Sequence, residues 1–305
     1  MAVDLASPGR SRRQKILHLL RAFAVNPARV SRALPGEVKQ RHGREQHYED
    51  VDEAWDEHLH GLLGAAWPCP YRRQLDELVA EINATLAAGG LRYGRQSYGC
   101  YSDADRSLCR AAWCVVLHAR PGVVIETGVA HGVTSRIVLE GLGQNEHGNL
   151  WSIDLPHPLD RELHAQTAAA VTDACRARWS YLEGSSRQRL PRLVAQVPEV
   201  DLFIHDSLHT ARNTMFEMEQ VAPAMPPDGI MLVDDIRMHD GFASFARRHP
   251  GYQTIVCPSA DREGMFGIAI KTAHGGGDLM CCPGRTPAEP CVSRGRPIMS
   301  RDESA

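Results

Sequence analysis

The sequence predicts a Rossmann-like α/β fold, in which a mainly parallel sheet is covered by helices on both faces. Short apolar runs alternate with helical patterns from Val123 to Val233, as they do in βαβ units. The first run leads into a glycine-containing loop, Glu126–Gly132, and two later runs end in carboxylates. Parallel sheets bind ligands at the carboxyl ends of their strands, so these residues predict a binding site at one edge of the sheet.

Each predicted strand is short and rich in apolar or β-branched residues. The strands are predicted at Val123–Thr127, Leu150–Ile153, Trp179–Leu182, Leu202–Ile204 and Ile230–Val233. Helical spacing predicts the connecting helices at Thr134–Leu142, Glu162–Arg176, Arg187–Val194 and Thr210–Ala224. After a helix near Phe242–Arg248, the runs Thr254–Val256 and Phe266–Ile270 predict an antiparallel pair at the edge of the sheet.

The first hundred residues carry helical patterns and no convincing strand. Apolar spacing predicts helices over His47–Leu63 and Tyr71–Leu86, and Gly89 and Gly90 end the second. The predicted organisation is a helical segment at 1–100 that serves as a lid or a dimer contact, and an α/β domain at 101–272. The α/β domain opens with a helix that Ser102 and Asp103 cap and that runs to His118. A tail at 273–305, rich in Gly, Pro and Arg, is predicted to be disordered.

Composition narrows the class of protein. The 305 residues carry a formal net charge of -3, which gives no basic excess for nucleic acid. No apolar run approaches the roughly 20 residues that a membrane helix needs. The Arg-rich start favours an amphipathic helix at Ser11–Phe23 over an organelle transit peptide. We therefore expect a cytoplasmic protein that acts on a small molecule, without nucleic-acid or membrane partners; a homo-oligomer stays open.

Neither the spacing of the cysteines along the chain nor that of two histidines in the first predicted helix matches a recognisable metal-binding motif. Cys109, Cys114 and Cys175 lie in helical, apolar patterns and are interpreted as small buried side chains. The tail cysteines lack paired CxxC spacing, which argues against a zinc site there; they are Cys281, Cys282 and Cys291. His58 and His60 are two residues apart on a helix, so they point in different directions and are interpreted as surface residues.

The loop after the first strand has the features of a cofactor loop. Gly128 and Gly132 allow a tight turn and a close approach of the backbone to a ligand. Thr134 and Ser135 can cap the next helix, whose N–H groups favour a carboxylate or a phosphate. The alternative is a turn that merely connects strand and helix.

The same loop argues against a nicotinamide cofactor. The G-x-G-x-x-G pattern would need glycine where the sequence has Ala130 and Val133. The negative charge of Glu126 would repel a pyrophosphate, whereas it would attract the amino group of a ligand. S-adenosylmethionine carries an ammonium group and ribose hydroxyls, and Asp154, after the second strand, can accept both hydroxyls. We therefore predict S-adenosylmethionine as the cofactor.

A third element follows the third strand. Gly184 and Ser185 come at its end and can lie along the adenine. Alone this signal is weak, because a serine that caps the following helix fits equally well. The complete predicted cofactor set is Glu126, Gly128, Ala130, Gly132, Thr134, Ser135, Asp154, Gly184 and Ser185.

Carboxylates follow the fourth and fifth strands, whose ends lie side by side in a parallel sheet. Asp206, Asp234 and Asp235 would repel one another unless a cation compensates, and Mg²⁺ prefers such oxygen ligands. The alternative is a helix cap with solvated neighbours. His209 follows Asp206 by one turn and can take a proton from an acceptor; the alternative is a positioning or purely structural role. Asp206 and His209 are the predicted catalytic pair.

The next helix is expected to bury one apolar stripe. That stripe consists of Met215, Met218, Ala222 and Met225. Glu217 and Glu219 are interpreted as solvent-facing.

With these motifs in view, the chain resembles class I S-adenosylmethionine-dependent methyltransferases of the methyltransferase 24 type. These are related to metal-dependent O-methyltransferases that modify sugars and other natural products. The resemblance covers about residues 100 to 272 and is most specific at four stretches: Val124–Gly132, Trp151–Pro156, Ile204–Thr210 and Leu232–Ile236. It implies a doubly wound, seven-stranded sheet with an antiparallel last strand.

The resemblance also implies roles for individual residues. The first stretch would hold the methionine part of the cofactor and Asp154 the ribose. Asp206 and the pair Asp234–Asp235 would bind Mg²⁺, and the Asp-x-x-His arrangement would supply the base. Ser207 stands where the sugar enzymes more often have glycine, which makes the position of His209 less certain than that of the cofactor loop.

The predicted function is a Mg²⁺-assisted transfer of the sulfonium methyl group to an oxygen of a small-molecule acceptor. The alternatives are a non-catalytic S-adenosylmethionine-binding partner or regulator and, against the loop pattern, a nicotinamide oxidoreductase. Four aromatic side chains near the domain junction either line the acceptor pocket or belong to the core. They are Tyr93, Tyr98, Tyr101 and Trp113.

Overall fold

A seven-stranded sheet forms the centre of the molecule, with strand order β3-β2-β1-β4-β5-β7-β6. The computed structural model describes residues 45–99, 101–155 and 161–273. The predicted helix at Ser11–Phe23, and the predicted tail beyond Ala273, lie outside the described residues. Strands β1 to β5 are mutually parallel, and β7 is antiparallel to both β5 and β6. The Rossmann-like, doubly wound fold and its reversed last strand are confirmed.

The strands agree with the predicted runs and are at most a few residues longer at either end. They are β1 (Val123–Thr127), β2 (Asn149–Asp154), β3 (Trp179–Glu183), β4 (Leu202–His205), β5 (Ile230–Val233), β6 (Tyr252–Pro258) and β7 (Met265–Lys271). The helices are α1 (Trp55–Leu62), α2 (Arg72–Ala88), α3 (Arg106–Ala119), α4 (Val133–Gln144), α5 (Arg161–Ala165), α6 (Ser186–Val194), α7 (Ala211–Val221) and α8 (Gly241–Arg248). Short 3₁₀ turns occupy Asp173–Arg178, Ala222–Ala224 and Ile236–Met238.

Both faces of the sheet bury apolar side chains, as a parallel sheet requires. On β1, Val124 belongs to one core cluster and Ile125 to the other, because successive side chains point to opposite faces. On β4, Ile204 and Phe203 divide in the same way. The sheet is therefore held from both sides, which fixes the positions of its strand ends.

The described N-terminal helices pack on one of these two faces. The predicted stripe of α2 is buried and joins the core cluster that also contains Val124; it consists of Leu75, Leu78, Val79, Ile82 and Leu86. Helix α2 ends as predicted, with Gly89 as its C-cap and Gly90 at φ +72°. The role of this segment as a lid or a dimer contact stays a prediction.

The helix predicted over His47–Leu63 is shorter than expected and begins only at Trp55. The backbone before it bonds elsewhere: the N–H of Gln46 donates to Arg237 at 2.8 Å, and that of Asp52 donates to Val256 of β6 at 2.8 Å. These tertiary hydrogen bonds replace the helical ones, which apolar spacing alone could not reveal.

The cap of α3 was also placed wrongly. Asp105, not Ser102 or Asp103, is the N-cap, and its side chain accepts a hydrogen bond from the N–H of Ser107. Asp103 is instead buried, where its carboxylate accepts a hydrogen bond from Ser97 and lies 3.1 Å from His131.

The predicted continuous helix over Glu162–Arg176 is wrong. It divides into α5 and the 3₁₀ turn at Asp173–Arg178, because the intervening backbone bonds to the predicted cofactor loop. The N–H groups of Ala168 and Ala170 donate to the carbonyls of Ala130 and His131, both at 2.8 Å. The alanine content of this segment favours a helix, but its hydrogen bonds to the predicted cofactor loop determine the observed conformation.

No helix among the described residues is long and apolar enough to cross a membrane.

Candidate functional site

The predicted site residues meet along one edge of the sheet, where backbone hydrogen bonds join consecutive strand ends. Gly184 donates to Asp154 at 2.7 Å, and Gly128 donates to Ile153 at 2.9 Å. Asp206 donates to Thr127 at 2.8 Å, and Asp234 donates to His205 at 2.9 Å. Because β1 lies between β2 and β4, this edge also contains the point where the strand order reverses. Ligands of open α/β sheets bind at such a point.

The turn after β1 requires glycine at two positions. Gly128 has φ +87°, and a Cβ there would lie 1.9 Å from the carbonyl oxygen of Asp206. Gly132 has φ +79° and caps α4. Ala130 adopts φ +47°, which is uncommon for a residue other than glycine. The loop is thus held against the end of β4 by backbone contact.

The prediction that Thr134 and Ser135 cap α4 is wrong. Both lie inside the helix and are buried, and the N-cap Gly132 offers no side chain. Ser135 instead donates its hydroxyl to Glu126 Oε2 at 2.6 Å. Its contact with a cofactor would therefore run through Glu126.

Glu126 is fully buried beneath the loop. Ser135 and Ser152 each donate to its Oε2 at 2.6 Å, and its Oε1 has no hydrogen-bond partner among the described residues. Burial raises the pKa of this carboxyl to about 8, although the two serine hydroxyls act in the opposite direction. An unpartnered buried acceptor of this kind fits an incoming cationic donor.

Asp154 ends β2 and supports the same loop. Desolvation raises the pKa of its carboxyl to about 6, against the hydrogen bonds that it accepts from the N–H groups of Leu155, Ala130 and Val129. Gly184 follows β3 at φ +147°, and Ser185 is the N-cap of α6 without a side-chain cap hydrogen bond. The structure therefore brings these residues to neighbouring strand ends, as the sequence predicted.

Two of the three predicted metal-binding carboxylates converge with the histidine. One ligand atom each from Asp206, His209 and Asp234 lies within 4.8 Å of the others. Partial burial, followed by the charges of Asp206 and Asp235, raises the pKa of Asp234 well above its ordinary value. The charges of Asp206 and Asp235 thus act in the direction of the expected repulsion, which a cation would relieve.

Asp235 directs its carboxylate at His209 and lies outside that convergent group. Its Oδ2 is 2.6 Å from Nδ1 of His209, while Nε2 of the same ring is 3.5 Å from Asp206 Oδ1. This Nε2 is buried and has no hydrogen-bond partner among the described residues. Burial alone would lower the pKa of His209, but Asp235 and Asp206 raise it well above its ordinary value.

The sequence missed a buried polar network behind β4. Glu217 was interpreted as solvent-facing, but it is fully buried, whereas Glu219 is exposed as expected. One Glu217 oxygen lies 2.6 Å from Nδ1 of His205 and accepts from Thr127, and the other accepts from Ser207. Of the predicted apolar stripe, Met218 is buried in α7, Ala222 and Met225 are buried beyond its end, and Met215 is half-buried. The helix also buries a polar face, which periodicity of apolar residues cannot detect.

The sequence also missed a polar contact beneath the cofactor loop. His131 is buried, its Nδ1 faces Asp103, and its ring packs edge-on against Tyr98 with centroids 5.2 Å apart. Tyr98 in turn hydrogen-bonds Thr167 at 2.6 Å. A histidine inside a glycine-containing loop was the available signal, but its partner Asp103, 28 residues earlier in the sequence, was interpreted as a helix cap.

Of the four aromatic residues predicted to line a pocket or to belong to the core, none lines the described cavity, and Tyr93 packs against the core. Tyr98 and Trp113 are buried, Trp113 donates to the carbonyl of Tyr71, and Tyr101 is exposed. A cavity of about 400 Å³ lies between α1, α2 and α3. Its lining includes Arg72, Arg106 and Cys109 but none of the predicted site residues.

Comparison with known proteins places the site inside one family region. Residues 125–236 match the family model described as a methyltransferase domain, and this stretch contains all the predicted site residues. No curated protein matches the chain.

Several solved structures are similar in fold. An O-methyltransferase from Bacillus cereus in complex with SAH is 12% identical, with 72% of this chain and 98% of that chain covered and a TM-score of 0.47. TomG of Streptomyces achromogenes, an O-methyltransferase of tomaymycin synthesis solved with SAM, is 13% identical (72% and 97% covered, TM-score 0.49). An SAH-bound methyltransferase from Podospora anserina is 15% identical (74% and 99% covered, TM-score 0.48).

Proposed function

Starting from the methyltransferase domain at residues 125–236, we propose that the chain transfers a methyl group from S-adenosylmethionine to an oxygen of a small-molecule acceptor. The observation that carries this proposal is the hydrogen bond from Asp206 to Thr127. It ties the acidic cluster directly to the strand that leads into the cofactor loop. Donor and acceptor sites on adjacent strand ends suit a reaction that needs alignment above all.

The donor would lie across the ends of β1, β2 and β3. Glu126 would face the ammonium group through its unpartnered Oε1, and Asp154 would accept the ribose hydroxyls. Gly128, Ala130 and Gly132 would let the backbone approach the methionine part, and Gly184 and Ser185 would lie along the adenine. Thr134 would contribute from the first turn of α4, and Ser135 would hold Glu126 in place.

The residues present fit a divalent cation, for which we propose Mg²⁺. Asp206 and Asp234 offer convergent carboxylates, and burial, followed by the charges of Asp206 and Asp235, raises the pKa of Asp234. Hard oxygen ligands are those that Mg²⁺ prefers. The sequence also assigned Asp235 to the metal. In the observed conformation its carboxylate contacts His209 instead, and it would bind the cation directly only in another side-chain rotamer. When bound, the cation would favour the ionised form of an acceptor hydroxyl.

His209 is the proposed general base. Asp235 accepts a hydrogen bond from its Nδ1–H, so the neutral ring, which a bound cation would favour over the protonated one, carries its lone pair on Nε2 towards Asp206. From there Nε2 would take the proton of the acceptor hydroxyl as the methyl group is transferred. The competing role, Nε2 as a third metal ligand beside Asp206 and Asp234, is compatible with the same contacts.

Calorimetric titration with S-adenosylmethionine, with NAD as control, tests the donor site. We expect binding of S-adenosylmethionine and none of NAD. Asp154→Asn should weaken binding about tenfold or more, which corresponds to about 1.4 kcal/mol. The matched control is Asp173→Asn, whose side chain is fully exposed. Absence of binding to the wild-type chain would overturn the proposal.

Two further measurements separate the enzyme from a non-catalytic binding protein. Mn²⁺ is the probe for the cation site. We expect Asp206→Asn and Asp234→Asn to abolish Mn²⁺ binding, and Asp173→Asn to leave it unchanged. Formation of S-adenosylhomocysteine is then followed with hydroxylated and with amino-group acceptors. Donor binding without metal binding, and without product from any acceptor, would favour the non-catalytic alternative.

A further inference from the structure

Four side chains with metal-ligand chemistry meet where α1 and the segment before α2 approach α3, and none of them belongs to the strand-end site. His60 comes from α1, Cys69 from the segment before α2, and Cys114 and His118 from α3. The last two are four residues apart and therefore share one face of the helix. Sγ of Cys69 lies 3.6 Å from Nε2 of His118 and 3.7 Å from Sγ of Cys114. His60, Cys69 and His118 each offer a ligand atom within 4.8 Å of the other two, and Cys114 belongs to a second such group, with His60 and Asp56.

His60 is prepared to be a ligand. The sequence interpretation placed it on the surface, but its side chain is fully buried. Its Nδ1 is 2.6 Å from the carbonyl oxygen of Asp56, so Nδ1 carries the proton and donates it. Nε2 then carries the lone pair, and it has no hydrogen-bond partner among the described residues. A histidine that donates one N–H to a backbone carbonyl and presents its other nitrogen is the usual arrangement of a metal ligand.

The observed spacings suit a tetrahedral ion. Bond lengths of about 2.3 Å to sulfur and about 2.0 Å to nitrogen place neighbouring tetrahedral ligands roughly 3.3 to 3.8 Å apart. The two measured contacts of Cys69 fall within this interval.

We propose that His60, Cys69, Cys114 and His118 form a structural zinc site. Two nitrogen and two sulfur ligands without an open position are the composition of closed zinc sites. The ion would fasten α1 and the segment before α2 to α3, and so hold the N-terminal helices on the α/β domain. Because the ligands come from separate elements, the sequence contains no CxxC motif that would predict the site.

Metal content of the full chain tests the site. The protein is produced with added Zn²⁺, dialysed against metal-free buffer and measured by inductively coupled plasma mass spectrometry. We expect about one zinc per chain, lost in Cys69→Ser and in His118→Ala. Cys109→Ser, also a buried cysteine of α3, is the matched control and should retain it. A variant with serine at Cys281, Cys282 and Cys291 should retain it as well.

Two measurements on the wild-type chain test the site even if a ligand variant fails to fold. Co²⁺ substituted into the wild-type chain should give thiolate-to-cobalt charge-transfer absorption, which an all-carboxylate site does not produce. Alkylation of Cys69, mapped by mass spectrometry, should increase at least about tenfold when zinc is removed by a chelator. Asp206→Asn should leave zinc content unchanged, which separates this site from the proposed catalytic cation. No zinc in the wild-type chain, equal zinc in Cys69→Ser, or a Cys69–Cys114 disulfide would overturn the proposal.

Discussion

Nδ1 of His209 lies 2.6 Å from Oδ2 of Asp235, so the carboxylate fixes both the orientation and the tautomer of the imidazole. The contact leaves Nε2 buried at the edge of the acidic cluster, 3.5 Å from Asp206. Asp235 adopts φ +51°, a left-handed conformation that aspartate tolerates better than most residues. The backbone after β5 is thus shaped to turn this side chain towards the histidine.

The first prediction concerns the pKa of His209 in the metal-free protein. Asp235 and Asp206 hold that pKa well above its ordinary value, although burial opposes them. Asp235→Asn removes the nearest charge, so the pKa should fall by about one unit or more. The measurement is an NMR titration of the histidine ring signals with chelator present. Asp228→Asn, at an exposed turn, serves as control and should leave the titration unchanged. An unchanged His209 titration in Asp235→Asn would contradict the pairing.

The second prediction concerns proton release on binding of S-adenosylmethionine. With a pKa of about 8, Glu126 is mostly protonated at pH 7 in the free protein. An ammonium group beside Oε1 favours the carboxylate, so binding at pH 7 should release up to about one proton. The binding enthalpy should therefore vary with the ionisation enthalpy of the buffer. In Glu126→Gln this dependence should vanish and affinity should fall about tenfold. Tight binding by the wild-type chain without any proton release would rule out the contact.

Most of the fold and the placement of the site could be predicted from the sequence. Short apolar runs locate β1 to β5, and the parallel order then requires Asp154, Asp206 and Asp234 to share one edge. Periodicity describes one buried face of an element and assumes that this face is apolar. It therefore failed for Glu217, whose partners come from three other segments, and for His60, which is buried beside side chains from other segments.

The third prediction concerns the buried contact between Glu217 and His205 behind the site. Both side chains are fully buried, and the pair also accepts hydrogen bonds from Thr127 and Ser207. Glu217→Ala leaves His205 buried without its partner, so unfolding should become easier by about 3 to 5 kcal/mol. Urea denaturation gives the change in the free energy of unfolding. Glu219→Ala, two residues along α7 and exposed, should change it by no more than about 0.5 kcal/mol. Equal effects of the two substitutions would contradict the buried role.

The acid sensitivity of the fold follows from the same pair. Burial alone would raise the pKa of Glu217, but His205 and the neighbouring hydroxyls lower it to about 2. An acid with a depressed folded-state pKa stabilises the protein above its ordinary pKa of about 4.5. That contribution is lost as the pH falls from there towards 2. The wild-type chain should thus lose more stability than Glu217→Gln in this interval, whereas parallel losses would contradict the prediction.

The fourth prediction concerns the contact between the cofactor loop and the end of β4. A Cβ on Gly128 would lie 1.9 Å from the carbonyl oxygen of Asp206, and the backbone there has φ +87°. Gly128→Ala must therefore displace backbone and bear the cost of a left-handed conformation, of about 1 to 2 kcal/mol. Because the displaced backbone belongs to both proposed sites, we expect this variant to bind S-adenosylmethionine and Mn²⁺ at least about tenfold more weakly.

Gly143→Ala is the matched control, since its Cβ would meet open space within α4. That substitution should stabilise the helix by up to about 1 kcal/mol and leave both affinities unchanged. Calorimetry and thermal denaturation of the two variants measure these effects, and normal binding of both ligands by Gly128→Ala would show that the two loops do not depend on this contact.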